Sequence, residues 1–190
     1  MKVTLHKNHT LNSTDKLTLL AKELNIHSWN ELTSFIANLP YGRNENRYDF
    51  SLVLSEKKGS CSSKHALLKA LADVNQIPNV SLILGIYKMN HKNTPGIGNV
   101  LVENNLDFVP EAHCYLSIQE KRFDFTSSSS SIIRIENDIL SEIEITPNQV
   151  AEYKVQFHKE YMKNWIKNNN IPFDFETVWK IREQCIYNLS

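Results

Sequence analysis

The stretch that decides the reading of this chain is Gly59–Leu71, GSCSSKHALLKAL. Ala66, Leu67, Ala70, Leu71 and, just beyond, Val74 recur at helical spacing, which predicts an amphipathic helix from about Cys61 to Asn75. Gly59 allows a tight turn before it and the close approach of another backbone. Cys61 then stands at a helix N-terminus, where unpaired N–H groups and the helix dipole favour negative charge. Thiols in such places ionise more readily than a free cysteine. Cysteine is also among the most often buried residues. Cys61 therefore has three readings: nucleophile, metal ligand, or small apolar residue.

A nucleophilic thiol needs a base, and the base needs a group to orient it. The stretch Glu111–Thr126, EAHCYLSIQEKRFDFT, offers both. Ala112–Ile118 reads as a strand and Arg122–Thr126 as a second, the two forming a hairpin. His113, Tyr115 and Ser117 share one face of the first strand, and Cys114, Leu116 and Ile118 the other. A two-residue turn at Gln119-Glu120 sets Ile118 opposite Lys121, Tyr115 opposite Asp124 and His113 opposite Thr126. Asp124 is then the diagonal neighbour of His113, roughly 7–8 Å away at the backbone, a gap the two side chains can close. A turn one residue longer would send Asp124 to the other face.

The rest of the chain reads outward from these two stretches. Ser13–Asn25 is predicted as a helix capped by Ser13. Ser28 and Glu31 have capping-box spacing for a second helix, which Pro40 helps to end. Tyr41–Phe50, YGRNENRYDF, is a polar loop, and Val80–Met89 a buried strand. The long segment from Lys88 to Glu111 reads as a loop, either a cover over a cleft or equally a variable surface excursion. Ser127–Ser131 is a low-complexity loop. A helix from Pro147 to about Asn168, with Thr146 as cap, carries Tyr153, Phe157, Tyr161 and Trp165 every four residues; this series reads as a packing stripe. A last helix spans Asp174–Asn188 and holds Cys185 as a packing residue. The order predicts one α+β domain over 1–190: a helical part over 1–58, a core over 59–126 and a helical part over 127–190.

Composition narrows the function classes. The 190 residues are 41% hydrophobic and 22% charged, as expected for a chain with an ordinary core. Lysine plus arginine equals aspartate plus glutamate, 21 each, so charge gives no reason to expect nucleic acid or an anionic membrane as partner. The N-terminal residues lack the apolar run of a signal peptide, and no apolar run is long enough to span a bilayer. Three widely spaced cysteines do not make a disulfide framework. The expectation is a cytoplasmic protein with reduced thiols.

Gly59-Ser60-Cys61 opening a helix, Ala112-His113 opening a strand and Asp124-Phe125-Thr126 ending the next resemble the transglutaminase-like superfamily of papain-like thiol enzymes. The resemblance covers about Gly59 to Thr126. It implies a central helix packed on a small antiparallel sheet, with additional N- and C-terminal helices. It also implies Cys61 as nucleophile, His113 as base and acid, and Asp124 as the orienter of His113. Tyr115 stands where the family commonly has Trp, and Phe125 where it has Pro. Ser55 stands six residues before Cys61, where papain-type enzymes carry a Gln in the oxyanion hole. The backbone N–H of Cys61 and the polar side chains of Tyr41, Asn44 and Asn46 are the candidate oxyanion donors, with His65 and Tyr115 as further cleft residues.

The implied activity is acyl transfer through a thioester, by amide hydrolysis or transamidation, on a peptide, protein or small amide substrate and without a cofactor. Two rival classes come from the same residues. Cys61 and His65, at i and i+4, share a helix face and with His91, His113 or Cys114 could bind a metal; but His113 and Cys114 point to opposite faces of one strand, and no zinc spacing occurs. The same fold could also hold a peptide or ligand in a groove without turning it over.

Overall fold

A computed structural model describes residues 8–189. The elements are α1 (Lys16–Glu23), α2 (Trp29–Asn38), α3 (Leu52–Glu56), α4 (Cys61–Val74), β1 (Val80–Met89), α5 (Val100–Glu103), β2 (Val109–Ile118), β3 (Lys121–Phe123), β4 (Ile139–Ile145), α6 (Glu152–Asn168) and α7 (Phe175–Tyr187). Three 3₁₀ turns interleave them, at Ile132–Arg134, Glu136–Asp138 and Pro147–Val150. The strands form an antiparallel sheet of order β3-β2-β1-β4, so the class is α+β. The described residues fall into two compact units. The first lies within Met1–Ile83, Cys114–Ser131 and Glu144–Ala151, the second within Leu84–His113, Ile132–Ile143 and Glu152–Ser190. No helix among the described residues is long and apolar enough to cross a membrane.

The first unit is built around α4, against which α1, α2, α3 and the Pro147–Val150 turn all pack. Ala66, Leu67, Leu68, Leu71 and Ala72 of α4 are fully buried, as are Leu32 and Ile36 of α2 and Val53 of α3. The capping box expected for α2 is present: Glu31 N donates to Ser28 Oγ, and the Glu31 carboxylate accepts from Ser28 N at 2.9 Å. The α1 cap is Asp15 rather than Ser13. Its carboxylate accepts from Leu17 N at 2.8 Å, whereas Ser13 sits two residues earlier and accepts from Asp15 N. At the far end of α4, Asn75 Nδ2 donates to Thr18 Oγ1 of α1 at 2.8 Å, joining the two helices.

The hairpin has the two-residue turn. Leu116 pairs with Phe123, Ser117 with Arg122 and Ile118 with Lys121. Gln119 and Glu120 both have positive φ, 49° and 66°, the sign that a type I′ turn demands at its two central positions. That choice follows from strand twist: the primed turns match the right-handed twist of the flanking strands.

The second unit holds α5, α6 and α7, the two short turns after residue 131, and the long segment between β1 and β2. That segment contains the short helix α5, and β2 begins at Val109, earlier than the sequence suggests. Residues 127–190, read as helical, also contain the strand β4. Its Glu142-Ile143-Glu144-Ile145 alternation was the available signal. Glu142 and Glu144 are its exposed positions, and the alternation covers only the last four of its seven residues. The helix expected from Pro147 begins as a 3₁₀ turn with a Thr146–Gln149 capping box, and α6 follows from Glu152. The aromatic series on α6 does not share one buried face. Tyr153 is exposed and stacks on Phe157, while Trp165 is buried. A four-residue step overshoots one turn by about 40°, so the series winds around the helix. The buried face is instead His158, Met162 and Trp165.

A buried ion pair joins α7 to β2. Arg182 Nε and Nη2 donate to the two carboxylate oxygens of Glu111, both at 2.5 Å. Burial pushes the Glu111 carboxyl up, but the Arg182 guanidinium and other nearby cations outweigh this and hold it at about 2. Beside them His158 donates from Nε2 to the Pro110 carbonyl at 2.8 Å, and burial holds its pKa below the usual range.

Two outcomes are expected from this architecture. Arg182→Met strands a buried carboxylate and should cost about 3–5 kcal/mol in denaturant unfolding at neutral pH. Because Glu111 has a depressed pKa, its stabilising contribution is present above pH 4.5 and is lost as pH falls from there toward 2; the acid limb of the wild-type stability profile should include this loss. Glu120→Gly relieves a left-handed backbone and should raise unfolding free energy by up to about 1 kcal/mol, read from the denaturant midpoint.

Candidate active site

Cys61 is the first residue of α4 and is only 8% exposed. The turn that delivers it is tightly organised. Gly59 N donates to Pro40 O and Gly42 N to Gly59 O, both at 3.2 Å, so the chain before α4 runs beside the end of α2. Ser60 caps the helix in a reciprocal box: Ser60 N donates to Ser63 Oγ at 3.0 Å, and Ser63 N to Ser60 Oγ at 3.4 Å. Gly59 is required by packing. A Cβ there would meet Lys64 Cγ at 2.8 Å, Val53 Cγ2 at 3.0 Å and Ser63 Oγ at 3.1 Å. The Cys61 sulfur lies 3.9 Å from Ser62 Oγ.

The next turn of α4 holds the chain that follows β3. Lys64 is fully buried, and its Nζ donates to Leu39 O and to Thr126 O, each at 2.6 Å. His65 is fully buried as well. Its Nε2 accepts from Phe125 N at 2.8 Å, so the ring proton is on Nδ1, which donates to Cys61 O at 2.7 Å. Asp124 Oδ1 lies 3.7 Å from His65 Nε2. With the Nε2 lone pair engaged by an N–H, the imidazole is neutral, and this contact is not an ion pair. Asp124 Oδ1 also accepts from Thr126 N at 2.9 Å. Cys61 and Asp124 are thus fixed to one short piece of helix, both within the first unit.

His113 is placed by β2, in the residues of the second unit. It is half-buried, with its ring edge-on to Tyr87 at 6.3 Å between centroids and 76° between planes. Tyr115, two residues on, is fully buried.

The remaining candidates have specific local engagements. Tyr41 is exposed and forms an isolated bridge with Gly59. Asn44 donates from Nδ2 to Glu56 Oε2 and to Lys58 O, both at 3.1 Å, so its amide nitrogen already serves the loop. Asn46 is exposed and accepts from Tyr48 N at 2.9 Å, an Asx turn. His65 links α4 to the chain after β3. Among the described residues, no three His, Cys, Asp or Glu side chains are grouped so as to hold a metal ion. Cys185 is fully buried, and burial pushes its thiol up to about 11.

Lys64 is the residue that sequence reasoning overlooked. Lysine on a helix ordinarily reads as surface. The available signal was its position: three residues after Cys61, it shares that side of the helix. Burial lowers its pKa to about 8, while Asp124 and Cys61 act in the opposite direction, favouring the charged amine.

No protein-family model, curated protein or solved structure matches this chain.

Gly59→Ala tests how firmly the turn is packed. The head of Lys64 is pinned at two carbonyls, so its stem cannot move aside freely. The substitution should cost about 1–3 kcal/mol in denaturant unfolding.

Proposed function

We propose that this chain is a cysteine-dependent acyl-transfer enzyme with a papain-like, transglutaminase-like core, in which Cys61 is the nucleophile, His113 the base and acid, and Asp124 the orienter. The observation that carries this reading is the pinning of Asp124 to the helix that begins at Cys61, through Lys64 and His65. A helix N-terminus favours a thiolate over a thiol. The hairpin has the two-residue turn that this reading asks for, with Leu116 opposite Phe123 and Ile118 opposite Lys121.

In this mechanism the Cys61 thiol proton passes to the His113 imidazole, and the thiolate attacks the carbonyl carbon of an amide. The tetrahedral intermediate collapses as the C–N bond breaks, and the leaving amine takes the proton from His113. Water or a second amine then attacks the thioester, giving up a proton to His113, and the departing sulfur regains its charge. The backbone N–H of Cys61 is the natural oxyanion donor in this scheme. The substrate class is a peptide, protein or small amide, and a reducing compartment such as the cytoplasm suits a catalytic thiol.

The test is the pH dependence of Cys61 alkylation by iodoacetamide, read by mass spectrometry in wild type and His113→Ala. The expected apparent pKa in wild type lies well below the free-thiol value of about 8.5 and rises by about a unit or more without His113. An ordinary, unchanged profile in both proteins would overturn the reading.

A further inference from the structure

We propose that Lys64 is the positioning residue for the Cys61 thiolate: its buried ammonium supplies the positive charge on the sulfur's side of α4, and the same side chain holds the segment that carries Asp124. The inference rests on the reading of Cys61 as a nucleophile, although the charge coupling can be measured without turnover.

Three observations carry it. The first is placement. Residues three apart on a helix are neighbours on its surface, with Cβ atoms about 5–6 Å apart, and both side chains are buried, so solvent screens them poorly. The second is the kind of partner that Lys64 has. Its hydrogen bonds go to Leu39 O and Thr126 O, which are neutral carbonyls. Those bonds hold the amine in place without cancelling its charge. A buried ammonium needs compensating anions, and the two groups that favour its charged form are Asp124 and Cys61. The third is reciprocity. If an ionised Cys61 favours the Lys64 ammonium, the ammonium favours the thiolate by the same free energy.

His65, the next residue, is neutral between Cys61 O and Phe125 N. The end of α2 and the chain after β3 face the amine with carbonyls. Asp124 is the one carboxylate acting on it. With a pKa of about 8, Lys64 is charged at neutral pH and loses its charge just above. A neutral amine still has two N–H groups for the two carbonyls, so the tether persists after the charge is gone. Support for the thiolate therefore fades above about pH 8 while the local structure stays in place.

The experiment measures the coupling from both ends. Cys61 alkylation is followed against pH in Lys64→Met, which keeps an apolar stem, in the wild-type and His113→Ala backgrounds. The expected result is a rise of about one unit in the apparent Cys61 pKa in each background. From the other end, the ε-carbon of Lys64 is titrated by ¹³C NMR after isotopic lysine labelling, in wild type and Cys61→Ser. The expected midpoint is near 8 in wild type and lower in Cys61→Ser. Should Lys64→Met fail to fold, as judged by circular dichroism, the lysine titration decides. A Lys64 midpoint that does not move in Cys61→Ser would overturn the inference. A Lys64 effect that persists where His113→Ala changes nothing would sustain the coupling while removing the triad.

Discussion

The candidate site depends on one short set of hydrogen bonds. Two consecutive residues of α4, Lys64 and His65, grip the backbone of Phe125 and Thr126. Lys64 also holds the end of α2 through Leu39 O, and His65 reaches back to the carbonyl of Cys61. Each of these is a buried polar group, and a buried polar group left unpaired is costly. The pairing is thus a condition for α4 to be buried at all. It also brings the residue that opens the helix and the residue that ends the hairpin into one unit.

That arrangement explains several features that look unrelated in the chain. Gly59 has no side chain because the stems of Lys64, Val53 and Ser63 occupy the space beside it. Ser60 and Ser63 cap the helix with their own side chains, so the turn before Cys61 is held without any bulky group. Phe125 stands beside His65 with ring centroids 6.1 Å apart, and stacks on Phe123. A proline at that position could not donate the N–H that His65 accepts. The imidazole that faces position 125 therefore needs a residue there that carries a backbone N–H.

The second unit relies on a different device. Glu111 and Arg182 form a bidentate pair, and His158 is bound to Pro110 O. Trp179 has the Arg182 guanidinium and the Lys159 ammonium each over its ring, with His158 and Phe175 alongside. Cation–π contacts of this kind gain strength as water is excluded. The elements α6 and α7 are thereby joined through mixed polar and aromatic contacts as well as apolar packing.

What the sequence by itself determined is what local geometry controls. The α2 capping box, the start of α4 at Cys61, the extent of β1 and the register across Gln119-Glu120 were all legible. Each depends on residues a few positions apart and on fixed periods of 3.6 and 2. The edge strand β4 was missed because its alternation is short, and the α6 aromatic series misled because a spacing of four is not the helical repeat. Only the tertiary structure decided the roles of Lys64 and His65. Nothing near them in the chain distinguishes a surface lysine from a buried one. Their partners lie 25 and 62 residues away for Lys64, and 60 away for His65. Burial of a charge is settled by the carbonyls that the fold brings to it, and those are backbone groups that every residue type carries alike.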